Sequence, residues 1–211
     1  MLPQQEPAIL SAREEFEAQG YTMYPASFTG DFGPNGETMT LNGTIQEVMA
    51  QIEDINPGFT AEINKQIAMS NAAADADADV GPRGEDDAWR ERKVAKKDCM
   101  GNAGRCLKNR LLEGVEYLYK VPKNKARLEA RGCTRVSCSW DAAIFMCWEP
   151  FKGAPKVYEQ PWWYVGDYAK GIALEWCPTS RSDSGGRILE FVHGKTWDPK
   201  GLAVHVRKDR C

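Results

Sequence analysis

The sequence predicts an α+β fold: an antiparallel sheet covered by two helices in the order α-β-β-α-β-β, stapled by disulfides and preceded by a small α-β-β-α region. Three observations lead there. CLKNRLLEGVEYLYK, which begins at Cys106, and WWYVGDYAKGIALEWC, which ends at Cys177, both repeat apolar residues at helical spacing. Residues 132–150, GCTRVSCSWDAAIFMCWEP, first alternate and then run apolar, as two strands joined by a turn do. All seven cysteines (Cys99, Cys106, Cys133, Cys138, Cys147, Cys177 and Cys211) fall in the second half of the chain. Such density marks a small extracellular domain held by bridges.

The N-terminal elements follow from local signals. Ser11 followed by Glu14, and Thr44 followed by Glu47, each fit the capping box that opens a helix. Between them, YTMYPASFT and ETMTLNGT flank Pro34-Asn35-Gly36, which predicts a hairpin. TIQEVMAQIEDI places Ile45, Val48, Ile52 and Ile55 on one helical face and stops at Asn56-Pro57-Gly58. Residues 1–70 are therefore expected to form a small acidic unit of pro-region type. Residues 71–97, NAAADADADVGPRGEDDAWRERKVAKK, have little to bury and are expected to be a linker. It ends at Lys96-Lys97, a dibasic pair just before the first cysteine, where a processing protease is expected to cut. Charge divides the chain at the same place: residues 1–97 carry 8 Lys+Arg against 17 Asp+Glu, while residues 98–211 are net basic. Asp75, Asp77 and Asp79 lack the glycines and repetition of a calcium-binding repeat and read as a solvated acidic tract.

In the cysteine-rich domain, residues 98–211, the first helix sets Leu107, Leu111, Val115 and Leu118 along one face. AIFMCW is apolar at nearly every position, as a central strand buried on both faces must be. The second helix aligns Val165, Ala169, Ile172 and Trp176 before Cys177-Pro178 stops it. GRILEFVHGK and LAVHVRKDRC, separated by TWDPKG, read as a last hairpin. Lys123, Lys125, Arg127, Arg131 and Arg135 read as a solvated basic stretch.

Catalytic signals are sparse. No C-x-x-C pair is present, and no metal site or cofactor is expected. His193 and His205 could serve a histidine-dependent ribonuclease, the runner-up reading. Strand parity, however, sets Val204 and Val206 toward the core and His205 outward, on the face opposite His193. SDSGGR reads as a turn rather than a phosphate cradle. The domain carries six tryptophans, more than its core needs, so some are expected at the surface. Trp162-Trp163-Tyr164, after Pro161, is the candidate aromatic binding surface, against the plainer reading that these rings start a helix and pack beneath the sheet. Seven cysteines make three bridges and one free thiol, in pairings the sequence leaves open. Asn42-Gly43-Thr44 is a glycosylation sequon. With no run of eighteen apolar residues, no membrane span is expected. MLPQQEPAIL lacks signal-peptide character, so the expectation is a secreted protein whose signal is missing from this sequence.

DCMGNAGRC before a helix, the hairpin CTRVSCSWDAAIFMCWE, a helix ending in Cys177 and the tail LAVHVRKDRC together resemble the small secreted cysteine-rich proteins of filamentous ascomycete fungi, of the effector and killer-toxin-like kind. MTLNGTIQEVMAQIEDINPGF is similar to the N-terminal segment of their precursors. The resemblance implies an antiparallel sheet with two helices, no cofactor, and action by binding a host protein or cell-surface component. It also implies an eighth cysteine near the start of the second helix, where this chain has Trp162-Trp163. Nucleic acid is not an expected partner, and a monomer is expected.

Overall fold

The computed structural model describes residues 11–65, 88–99, 104–121 and 125–211. The first of these segments folds as its local signals direct. Helix α1 spans Ala12–Ala18 and α2 spans Ile45–Ile55, and both open on a complete capping box, Ser11 with Glu14 and Thr44 with Glu47. Strand β1 is Thr22–Tyr24; β2 (Ser27–Asp31) and β3 (Thr38–Asn42) form the expected hairpin.

The second segment departs from the expected linker. A 3-10 turn at Ala88–Glu91 buries Trp89 against Trp176, and β4 (Lys96–Asp98) pairs antiparallel with β12 (Gly194–Trp197). Three contacts pin the turn to the domain: Arg92 meets Asp167 at 2.6 Å, Lys93 O accepts the Tyr168 hydroxyl, and Trp197 O accepts the Ala95 amide. Low apolar content concealed one aromatic anchor. The Asp75, Asp77 and Asp79 tract lies outside the described residues.

Beyond the short β5 (Cys106–Leu107), helix α3 runs over Lys108–Tyr119 and buries Leu111, Val115 and Leu118. Lys125, Arg127 and Arg131 were expected in a solvated basic stretch. Residues Lys125–Glu129 instead form β6, which pairs with β9 (Val157–Pro161) and buries Ala126 and Leu128 between charged neighbours. Strands β7 (Gly132–Ser139) and β8 (Ala142–Trp148) form the hairpin read from the sequence. All seven residues of β8 are buried, as a central strand requires. Helix α4 (Trp162–Gly171) continues as a π-helical turn over Ile172–Trp176. The last strands are β10 (Ser180–Ser184), β11 (Arg187–Val192), β12 and β13 (Leu202–Lys208).

The simple α-β-β-α-β-β order is not what forms. The strand expected over residues 186–195 breaks at His193: β11 joins β10 and β5 in a separate sheet, and only β12 pairs with β13. The main sheet has six strands in the order β1-β7-β8-β13-β12-β4, with β1 parallel to β7 and the other neighbours antiparallel.

Both faces of this sheet are covered. On one, Ile144, Met146, Val204 and Val206 meet α2, α3 and α4 in the larger core. Gly114 lets α3 approach β7, since a Cβ there would overlap the Ser137 hydroxyl. On the other, α1 lays Ala12 and Phe16 over Cys133, Phe145, Cys147 and Ala203. The boundaries at residues 70 and 97 therefore do not coincide with a break in packing, because both cores mix residues from each side of them.

Candidate functional site

The bridges come first because they fix the surface. Cys99–Cys177 ties the end of β4 to the end of the α4 helical segment. Cys133–Cys147 joins residues directly opposite each other on β7 and β8, with Cα atoms 4.1 Å apart, close to the spacing of a non-hydrogen-bonded antiparallel pair. Cys138–Cys211 ties the chain end to the tip of the same hairpin. Cys106 is the free thiol. It is buried, with its Sγ 3.5 Å from Val192 O, and burial pushes its thiol up to about 12.

Trp162, Trp163 and Tyr164 do not form an open platform. Trp162 is 1 % exposed and stacks on Phe28 with ring centroids 4.3 Å apart. The Arg92 guanidinium lies 4.9 Å from the Trp163 ring and 5.0 Å from that of Tyr164. The Tyr164 hydroxyl donates to Asp198 Oδ2 at 3.2 Å, beside the Tyr158 hydroxyl at 2.8 Å. Asp198 Oδ1 accepts the amides of Lys200, Gly201 and Leu202, which makes the TWDPKG turn a rigid corner. Burial pushes the Asp167 carboxyl above its usual range, and the hydrogen bonds from Arg92 and Tyr119 oppose that rise. These contacts are structural.

The exposed tryptophan is Trp140, which retains 72 % of its surface at the turn between β7 and β8. Its φ is +48° and that of Asp141 is +61°, so two consecutive non-glycine residues occupy left-handed backbone. Such turns favour Asn-Gly, and an aromatic there sits against the backbone preference. The tip is braced nonetheless. Cys138 is bonded to Cys211, the Asp209 amide donates to Asp141 O at 3.1 Å, and the Arg110 guanidinium lies 5.1 Å from the Trp140 ring. The result is a fixed, largely solvent-facing aromatic with a cation beside it. Sequence reading registered a surplus of tryptophans but had no signal for which one would be exposed.

His205 is on the face opposite Val204, as parity requires, but it does not point to solvent. Helix α1 covers it: the Phe16 ring lies 4.9 Å away and edge-on, and His205 is 9 % exposed. Burial first, then the positive charges of Lys195, Arg207 and His193, hold its imidazole well below the ordinary histidine range. Its Nε2 has no hydrogen-bond partner among the described residues. His193 stands where β11 ends and β12 begins, partly exposed.

Lys96 and Lys97 are exposed but belong to β4, with Lys97 in register with Thr196. Asn42 is exposed at the end of β3, and its carbonyl accepts Gln51 Nε2. SDSGGR is the β10–β11 turn, closed by the Gly186 amide on Asp183 Oδ1. No helix among the described residues is long and apolar enough to cross a membrane. Nor, among those residues, do three or more His, Cys, Asp or Glu side chains gather in a group that could hold a metal ion. Comparison with protein-family models, with curated proteins and with solved structures returns no match for this chain.

Proposed function

We propose that this chain is a secreted binding protein of the fungal effector or toxin-like kind, which engages a host or competitor target through the tip of the β7–β8 hairpin. The observation that carries this reading is Trp140: an exposed aromatic held in unfavourable backbone geometry by a covalent brace. Binding hot spots favour tryptophan and arginine in this arrangement, with the ring pre-positioned so that little entropy is lost on contact. Local strain of this kind concentrates at functional sites. Three bridges support an oxidising compartment. In this reading a signal peptide precedes the mature chain, Asn42 carries a glycan, residues 1–97 act as a pro-region cut after Lys97, and the protein works as a monomer.

The test uses purified full chain, wild type and Trp140→Asn, infiltrated into plant tissue, applied to competing fungal cells and used for cross-linked pull-down. A response or captured partner that falls at least tenfold with the folded variant is the expected result. Equal activity of the two proteins would remove the hairpin tip from the function.

A second reading, a secreted nuclease, rests on His193 and His205: the charge of His193 acts on the His205 imidazole, which lies beneath α1 against Phe16. Incubation with RNA and DNA, with His193→Ala and His205→Ala as controls, separates it from the first. Histidine-dependent cleavage would reverse the ranking.

A further inference from the structure

Three cavities lie around Tyr24 and share lining residues, and the two that share Arg127 and Glu159 form a groove beside it. One, of about 340 Å³, lies between Tyr24-Pro25-Ala26, the start of α2 and Arg135. The next, of about 490 Å³, begins at the same three residues and is bounded by β6, β9 and Thr134. A third, of about 380 Å³, shares Arg127 and Glu159 with the second and ends at Lys200. Neither Trp140 nor Arg110 lines any of them.

We infer that this groove binds a neutral oligosaccharide, with Tyr24 as the ring on which one sugar stacks. Tyr24 is 42 % exposed, and the ring is seated against Gly132 of β7, where a Cβ would come within 3.1 Å of its Cε2 atom. The ring is thereby backed on one side and open on another. An aromatic with an apolar body and a polar tip suits a pyranose, which has a C–H face and a hydroxyl rim.

The charges along the groove point the same way. They are mixed in sign: Arg135 meets Asp209 at 2.9 Å, Arg127 stands 3.8 Å from Glu159, and the remaining lining charges include both lysines and glutamates. Such pairs offer donors and acceptors side by side, which matches hydroxyls that both donate and accept. A polyanion would instead call for a surplus of cations. Thr134, at the wall of the middle cavity, is 2 % exposed, and its hydroxyl has no hydrogen-bond partner among the described residues. An unmade bond there is costly, and a hydroxyl entering the cavity could satisfy it. The middle cavity and the one that shares Arg127 and Glu159 with it give room for more than one sugar ring.

The site goes beyond the hairpin-tip reading and is tested apart from it. Cellohexaose, chitohexaose and laminarihexaose are titrated calorimetrically into the full chain, with oligogalacturonate and an unstructured decapeptide as comparison ligands. At least one neutral hexasaccharide binds saturably and shifts the amide resonances of Tyr24, Arg127 and Thr134 in the wild-type protein. Tyr24→Ala lowers that affinity at least tenfold, Tyr24→Trp retains it, and Trp140→Asn leaves it unchanged. The inference is overturned if none of the three binds below 10 mM, if Tyr24→Ala binds as the wild type does, or if only oligogalacturonate or the peptide binds. Loss of target capture by Trp140→Asn with sugar binding intact would separate the two sites.

Discussion

Glu15 and Arg207, 192 residues apart in the chain, meet at 2.5 Å where α1 crosses β13. The next residue, Phe16, reaches across to Phe145 and His205. Helix α1 is only seven residues long, too short to be stable alone, so its helicity depends on this docking. Phe16→Ala should destabilise the protein by about 3–5 kcal/mol, the usual loss for a buried phenylalanine. Glu15→Gln, at a partly exposed ion pair, should cost about 1 kcal/mol or less. Denaturant titration of both variants checks the order; an equal loss would mean that charge, not packing, holds α1.

His205 should make stability depend on pH. Its folded-state pKa is depressed below the unfolded value, so the unfolded chain binds a proton that the native protein resists. That contribution is complete above the unfolded pKa and is lost as pH falls through about 6.5 toward the folded value. The groups facing the imidazole are Phe16 from α1, Lys195 from β12 and Arg207 from β13, together with His193, and the charged ones oppose protonation. Melting temperatures of wild type and His205→Phe, compared at pH 7.5 and 5.5, should show a steeper fall for the wild type. Parallel falls would assign the acid sensitivity elsewhere.

The thiols should react in a set order. Cys211 is exposed, whereas Cys133 and Cys147 are fully buried beneath α1. Under native conditions a thiol reductant should open Cys138–Cys211 first and Cys133–Cys147 last, as timed alkylation and peptide mass mapping would register. Cys106 should resist a thiol reagent until denaturant is added and then titrate as one group per chain, because a buried thiol with a raised pKa presents almost no thiolate. Early loss of Cys133–Cys147 would imply that α1 lifts readily from the sheet.

Trp140→Asn should raise stability by about 1 kcal/mol, since asparagine tolerates left-handed backbone that tryptophan does not. A gain in stability paired with a loss of target binding is the signature of a residue kept for contact rather than for folding. A stability loss would show that the Arg110 contact outweighs the backbone cost.

Cleavage after Lys97 should be slow, because β4 must first leave β12 for a protease to hold it in extended form. All three bridges lie within residues 99–211, so the cut chain has no covalent link to its first part. The two fragments should nevertheless elute together in gel filtration and separate only in denaturant. Spontaneous separation would mark residues 1–97 as weakly docked.

Local features of this fold were legible because local interactions encode them. Both capping boxes, the apolar faces of α2 and α3, and the β7–β8 hairpin depend on neighbours within a few positions. Strand pairing across the molecule was not. Nothing near His193 announces that β11 and β12 part company there, and a three-residue strand such as β1 has too little pattern to read. In Lys125–Glu129, alternation of charged and apolar residues was present, but the density of cations masked it. The candidate site suffered most, because exposure of one tryptophan among several is decided by tertiary packing. Trp162 stacks in the core and Trp140 does not, yet the sequence writes them alike.

The parallel pairing of Thr22 with Gly132 has a consequence for biosynthesis. Translation delivers β1 ahead of the strand it rests on by 110 residues, and such distant contacts form slowly. Until β7 leaves the ribosome, Phe16, Tyr21 and Phe28 have no sheet to cover and are open to aggregation. A nascent chain of this design therefore exposes those rings before any of its cysteines, the first of which is Cys99, has been made.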